Sequence, residues 1–136
     1  MKKKLIFGIA IALIIVLVGG GVYMAFFKKT EAVGTFNLEN YNDIIEYYEN
    51  NFPTEKVPEA LGFVDSEKTA KGKLETVWIE IYGKSIKNKK PYNVSFDNEN
   101  QVWLVQGSLP RNWDGGVPHI LIQKSDGKVL AVWHDK

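Results

Sequence analysis

There is no cysteine among the 136 residues. That excludes a lipoprotein whose lipid is carried on cysteine, and it means any extracytoplasmic domain must fold without disulfide staples. Histidine is scarce, with only His119 and His134. No basic face interleaved with aromatics occurs, so nucleic-acid binding is not expected. No internal repeat and no low-complexity tract breaks the chain. What is present in excess is an apolar run. Lys2-Lys3-Lys4 precedes it, Leu5 to Phe27 contains no ionisable group other than Tyr23, and Lys28-Lys29 closes it. Twenty-three residues as a helix span roughly 34 Å, against a hydrocarbon core of about 30 Å.

The run predicts a single-pass membrane anchor over residues 1–29, a transmembrane helix bounded by Leu5 and Phe27. A secretory signal has a shorter apolar region, about 7–15 residues, and a small-residue cleavage site. Val18-Gly19-Gly20 offers such a site, so an anchor and a cleaved signal are both open readings. Three lysines before the run and two after it favour a cytoplasmic N-terminus and an extracytoplasmic C-terminal domain.

Beyond Lys29 lie 107 residues, enough for one small domain. Residues 32–136 carry 12 basic and 15 acidic groups, a net charge of −3 that is unevenly spread. Asn37–Glu67 holds eight acids and one lysine, whereas Lys68–Pro91 holds seven lysines and two acids. The first stretch is read as a solvated helix face; an acidic patch suited to a basic partner is the alternative.

Residues 30–36 read as a linker, and 37–62 as an acidic helix and loop. Asn40 and Asp43 suggest the helix start, Tyr41, Ile44, Ile45 and Tyr48 recur at helical spacing, and Phe52-Pro53 ends it. In residues 63–136, Asp65 or Ser66 can cap a second helix carrying Ala70, Leu74, Val77, Trp78 and Ile81 on one side, with Gly83 at its C-terminal end. By pattern alone Thr76–Tyr82 also fits a strand, being rich in β-branched and aromatic residues. Four strands follow, near Tyr92–Phe96, Gln101–Gln106, Val117–Lys124 and Lys128–His134, the last two joined by Ser125-Asp126-Gly127. The fold class is therefore α+β, with a helix on a curved four-stranded antiparallel meander.

Candidate chemistry is sparse. With Asp126-Gly127 as a two-residue turn, His119 faces His134 across the strands and could begin a metal site. A three-residue turn with a bulged glycine puts them on opposite faces, and no second ligand pair completes a site. The loop Gly107–Gly116 lacks the following helix and lysine-serine pair of a phosphate cradle. Ser108 lacks a local histidine base. Arg111, Trp113 and Asp114 either present a cation and an aromatic anchor to a protein partner, or belong to a connector in which Trp113 folds over the core. Trp78, Trp103 and Trp133 read as core filling. No catalytic residue, metal, cofactor or small-molecule substrate is expected.

One ordered series of blocks is more specific. It runs from Val77-Trp78 and Ile81-Tyr82-Gly83 through Lys90-Pro91-Tyr92 to Trp103-Leu104-Val105-Gln106-Gly107-Ser108-Leu109-Pro110. It continues with Gly115-Gly116-Val117-Pro118, Ser125-Asp126-Gly127-Lys128 and terminal His134-Asp135-Lys136. The stretch from Ser66 to Lys136 resembles the bacterial immunity-protein family with a nuclear-transport-factor-2-like, cystatin-like fold, associated with polymorphic toxin systems. This chain has Asp135 where the family pattern has glycine between histidine and lysine. The resemblance implies a helix over Thr76–Tyr82, a toxin as the protein partner and no catalytic residues. With the apolar run, it suggests a toxin-neutralising protein tethered to the bacterial cell membrane, with Arg111, Trp113, Asp114, His119 and His134 as candidate partner contacts. The alternative is an extracytoplasmic accessory or sensory domain that binds envelope proteins.

Overall fold

The computed structural model describes residues 12–18 and 21–27 by their backbone, and residues 33–51 and 57–136 in full. The chain divides into two compact units at Val33/Gly34. In the first, strands β1 (Ala12–Val18) and β2 (Gly21–Phe27) pair antiparallel, from Ala12 opposite Phe27 to Val18 opposite Gly21. This differs from the expected helix. Val16, Val18, Val22, Ile14 and Ile15 are β-branched, and three successive glycines at 19–21 each cost a helix about 1 kcal/mol relative to alanine. Among the described residues no helix is long and apolar enough to cross a membrane. Leu5 at the start of the run, and Phe52-Pro53 at the expected helix end, lie outside the described residues.

The second unit is built on a five-stranded mixed sheet in the order β3-β4-β5-β6-β7. Its strands are β3 (Gly34–Thr35), β4 (Asn93–Asp97), β5 (Val102–Gln106), β6 (Pro118–Gln123) and β7 (Val129–His134). The last four form the expected antiparallel meander. The fifth strand is a correction: Gly34 and Thr35, read as linker, pair in parallel with Ser95 and Phe96. Two residues are too short to carry a period, and the strands lie close, since a Cβ at Gly34 would come within 2.8 Å of the Ser95 hydroxyl.

Alternation within β5 assigns the two faces. Trp103 and Val105 point to one side together with Val94, Ile120 and Ile122, their neighbours by register. Helix α2 (Glu67–Tyr82) covers this side with Ala70, Leu74, Val77 and Trp78, all buried. Ser66 caps it by accepting the Thr69 N–H at 3.2 Å, and Gly83 ends it at φ 89° with its N–H on the Ile79 carbonyl. Helix therefore prevails over strand at Thr76–Tyr82, because the four-three-one spacing matches a buried stripe. Trp103 donates its indole N–H to the Val64 carbonyl at 3.0 Å, and Trp78 meets Tyr92 edge-on at 5.2 Å between centroids.

The opposite face, Val102, Leu104, Leu121 and Ala131, lies under a single-turn 3₁₀ segment (Leu38–Tyr41) and helix α1 (Asn42–Asn51). Phe36, Leu38, Tyr41, Ile44, Ile45 and Tyr48 pack on it yet stay only half-buried. Asn37 caps the 3₁₀ turn, its side chain accepting the Glu39 N–H at 2.9 Å, and Asn40, the expected helix start, lies within that turn.

Asp97 joins this layer to the sheet. Its carboxylate is buried at 4% exposure and accepts the N–H of Glu99, Asn100 and Leu38 and the Asn100 side-chain amide, all at 2.7–2.9 Å. The Asn100 side chain and backbone first, then Leu38 and Glu99, outweigh the cost of burial and hold the carboxyl below its usual range. At the far end Gly127, φ 74°, sits against the Gly62 backbone, where Leu61 and Gly62 donate to the Gly127 and Asp126 carbonyls at 3.0 and 2.8 Å.

Three substitutions test these placements. Gly127→Ala places a side chain both in a left-handed conformation and against the Gly62 backbone, so the urea midpoint should fall by the equivalent of about 2 kcal/mol or more. Gly72→Ala, at a helical site with open space around it, should instead raise stability by about 1 kcal/mol. For Asp97 the depressed carboxyl contributes stability above its unfolded-state range and loses it as acid protonates the folded state. Asp97→Ala should cost on the order of 3 kcal/mol at pH 7, and its urea midpoint should vary less than wild type's between pH 6 and pH 3.

Candidate partner-binding site

The connector between β5 and β6 is held at its base and open at its tip. Gly107 lies where a Cβ would press on Pro118 and Lys89, and its N–H donates to the Pro118 carbonyl at 2.9 Å. Ser108 donates its N–H to the Lys89 carbonyl at 2.6 Å and its hydroxyl to the Pro91 carbonyl at 2.6 Å. The hydroxyl is thus committed to the 3₁₀ segment (Lys84–Lys89) side of the fold and has no histidine beside it. Lys89 Nζ reaches across to the Gly116 carbonyl at 3.2 Å. Between these anchors the Trp113 N–H closes a turn on the Pro110 carbonyl, and Asn112 and Gly115 adopt positive φ. The tip, Arg111 to Gly115, is exposed, and Trp113 keeps 63% of its surface in water. Trp113 does not fold over the core.

The two histidines separate. The β6–β7 register places Ile122 opposite Val129 but Leu121 opposite Ala131, so the bulge at Leu130 leaves His119 opposite Trp133 and Pro118 opposite His134. His134 turns to the α2 side, where its ring meets Tyr82 at 5.5 Å. Burial, then the nearby Tyr48, pushes the Tyr82 hydroxyl up to about 12. His119 faces the other side, buried at 7% exposure and stacked on Trp133 at 4.8 Å with 5° between the planes. Its two ring nitrogens are engaged: Gln106 Nε2 is 3.0 Å from Nδ1, and Asp135 Oδ2 is 2.9 Å from Nε2. A neutral ring that accepts from Gln106 and donates to Asp135 satisfies the set. Among the described residues no group of three potential ligands assembles around either histidine.

Asp135 closes the loop from its other end. Its Oδ1 accepts the Val117 N–H at 2.7 Å, and its own N–H points to the Val117 carbonyl at 3.3 Å. Burial works against its ionised form, but the Val117 N–H and His119 outweigh it and depress the carboxyl. Gly116 must lack a side chain because the Asp135 carbonyl occupies that space. Of the candidate contacts, Arg111, Trp113 and Asp114 form one exposed tip, His134 lies exposed on the opposite sheet face, and His119 is a buried support. Gln106 and Asp135 were missed. The signal for Asp135 was its place in a position where glycine is usual.

The connector, the meander and α2 together span the C-terminal half. The model of a family described as NTF2 fold immunity protein matches residues 72–136. That stretch is similar to the family. No curated protein and no solved structure matches the chain. The matched region starts within α2 and takes in every residue of the connector, so it carries the tip and its supports, whereas α1 lies before it.

Removing the Asp135 carboxylate tests the support. Because the group is half exposed, Asp135→Ala should cost only about 0.5–1 kcal/mol at pH 7. Hydrogen exchange should nonetheless quicken at Val117 and across 111–116, and unchanged protection there would refute the role.

Proposed function

We propose that the protein is a non-catalytic, membrane-tethered immunity protein that neutralises a toxin by binding it. The family match over residues 72–136 carries the reading. Ser108 and His119, the two groups nearest to catalytic chemistry, are both engaged in structural hydrogen bonds. The exposed tip supplies what a binding surface requires: an indole, a guanidinium and a carboxylate on a backbone fixed at both ends.

The tether rests on composition. Leu5 to Phe27 is apolar throughout and flanked by lysines at both ends, as a segment held in a bilayer would be. The C-terminal domain is assigned to the extracytoplasmic side, where it meets an arriving toxin. Confinement to the bilayer raises its effective concentration there.

Cells carrying the toxin encoded beside this gene should survive when the full chain is co-expressed and die without it; death in both cases would reject the function. Trp113→Ala should weaken toxin binding at least tenfold, read by titration calorimetry. Protease added to intact cells should cleave the domain while leaving a cytoplasmic marker whole, and protection of the domain would reverse the orientation.

A further inference from the structure

The segment that braces the connector is strongly basic. Residues 83–96 hold four lysines, Lys84, Lys87, Lys89 and Lys90, and no carboxylate, in a domain whose net charge is negative. The four are not equivalent. In the 3₁₀ segment Lys84–Lys89, residues three apart lie one above the other. Ile86 and Lys89 form its inner row: Ile86 is buried, and Lys89 reaches the Gly116 carbonyl at 3.2 Å. Lys84 and Lys87 form the outer row, and both are exposed. Neither has a carboxylate within 4 Å among the described residues. Glu75, whose charge Lys87 also feels, is already held by the Tyr92 hydroxyl at 2.7 Å and by Lys90 at 3.3 Å.

This outer row stands at the end of the sheet that carries the Trp113 tip. β5 ends there beside the start of β4, β6 begins there, and the lysine segment leads into β4. The bonds from Ser108 to the Lys89 and Pro91 carbonyls make the two loops one assembly. Arg111 adds an exposed cation to it and Trp113 an exposed indole. An indole can anchor an interface, while unpaired cations around it draw in the opposite charge.

Asp114 narrows the kind of anion that fits, because it is exposed directly beside Trp113. A phosphate backbone or an anionic bilayer presents one sign of charge throughout, and Asp114 opposes both. A protein surface can set carboxylates against the lysines and a donor against Asp114. A second copy in a two-fold pair would set lysines against lysines, and head-to-tail copies do not close into a pair. We propose that this basic end of the sheet, Lys84, Lys87 and Arg111 around Trp113, receives an acidic patch of the partner protein. That the partner is the toxin rests on the function proposed above; the demand for an acidic surface does not. The lysines act on encounter and Trp113 on retention, so they govern different rates.

The test uses the full-length chain in phosphatidylcholine nanodiscs and two peptides, one with a leucine between triple glutamates and one with the leucine between triple lysines. The glutamate peptide should shift the backbone amide resonances of Lys84–Lys90 and Arg111–Asp114, and added salt should weaken it. Lys84→Gln with Lys87→Gln should weaken it at least fivefold and Trp113→Ala at least threefold, while Lys68→Gln at the far end of α2 leaves it unchanged. All these positions are exposed, and circular dichroism checks that the variants fold. Equal binding of the lysine peptide, shifts mapping elsewhere, or no effect of the lysine pair would overturn the proposal. So would a short RNA, or phosphatidylglycerol in the nanodisc, moving the same resonances more than the peptide does, or self-association that the lysine pair abolishes. With the toxin, losing both lysines should slow association at least threefold and leave dissociation within twofold, whereas Trp113→Ala should speed dissociation. A toxin whose association ignores the lysine pair would sink the basic end and leave the toxin reading intact. A toxin that wild type fails to bind, with the glutamate peptide still seated, would sink the toxin reading alone.

Discussion

A single buried carboxylate holds the two layers of this domain in register. Asp97 ends β4, receives the turn that leads into β5, and reaches back to the N–H of Leu38 at the head of the α1 layer. A carboxylate taken out of water is tolerable only when its oxygens are hydrogen-bonded, and here four donors converge on it. Because one of them comes from 59 residues earlier, the same group that shapes a local turn fixes where the N-terminal layer lands. Leu38 stands between β3 and α1, so this bond fixes the segment that joins them to the end of β4.

The sheet's two faces are closed to different degrees. Under α2, Leu74, Trp78, Val105, Ile120 and Ile122 are lost to solvent almost entirely, and at about 25 cal/mol per Å² this side supplies most of the hydrophobic stabilisation. Under α1 the covering aromatics keep part of their surface in water. One helix completes a core, and the other leaves one unfinished.

Much of this was legible beforehand. The α2 stripe, its Ser66 cap, its end at Gly83 and the four meander strands all carry periods longer than one turn or one pleat. β3 was not legible, because two residues show no alternation. The histidine pair depended on whether a bulge shifts the β6–β7 register, an alternative that the turn residues alone left open. The apolar run was read by length as a helix; its β-branched residues and triple glycine point the other way, and the strands over 12–18 and 21–27 follow them. At the site, Arg111, Trp113 and Asp114 were visible as a loop with unusual chemistry. Gln106 and Asp135 were not, since they matter only through a buried ring that joins strands far apart in sequence.

The bulge at Leu130 has a wider meaning for how such a protein can change. By shifting the β6–β7 register, it sends His119 and Trp133 to the α1 side and His134 to the other. The residue that braces the connector, His119, and the residue that meets Tyr41 of the 3₁₀ turn, Trp133, are therefore one stacked pair. Around that pair, the exposed tip and the surface of α1 can be rewritten residue by residue, because neither contributes a fully buried side chain. A lineage can thus retarget what it binds while the interior that folds it stays untouched, and the stacked pair sets the one boundary such variation must respect.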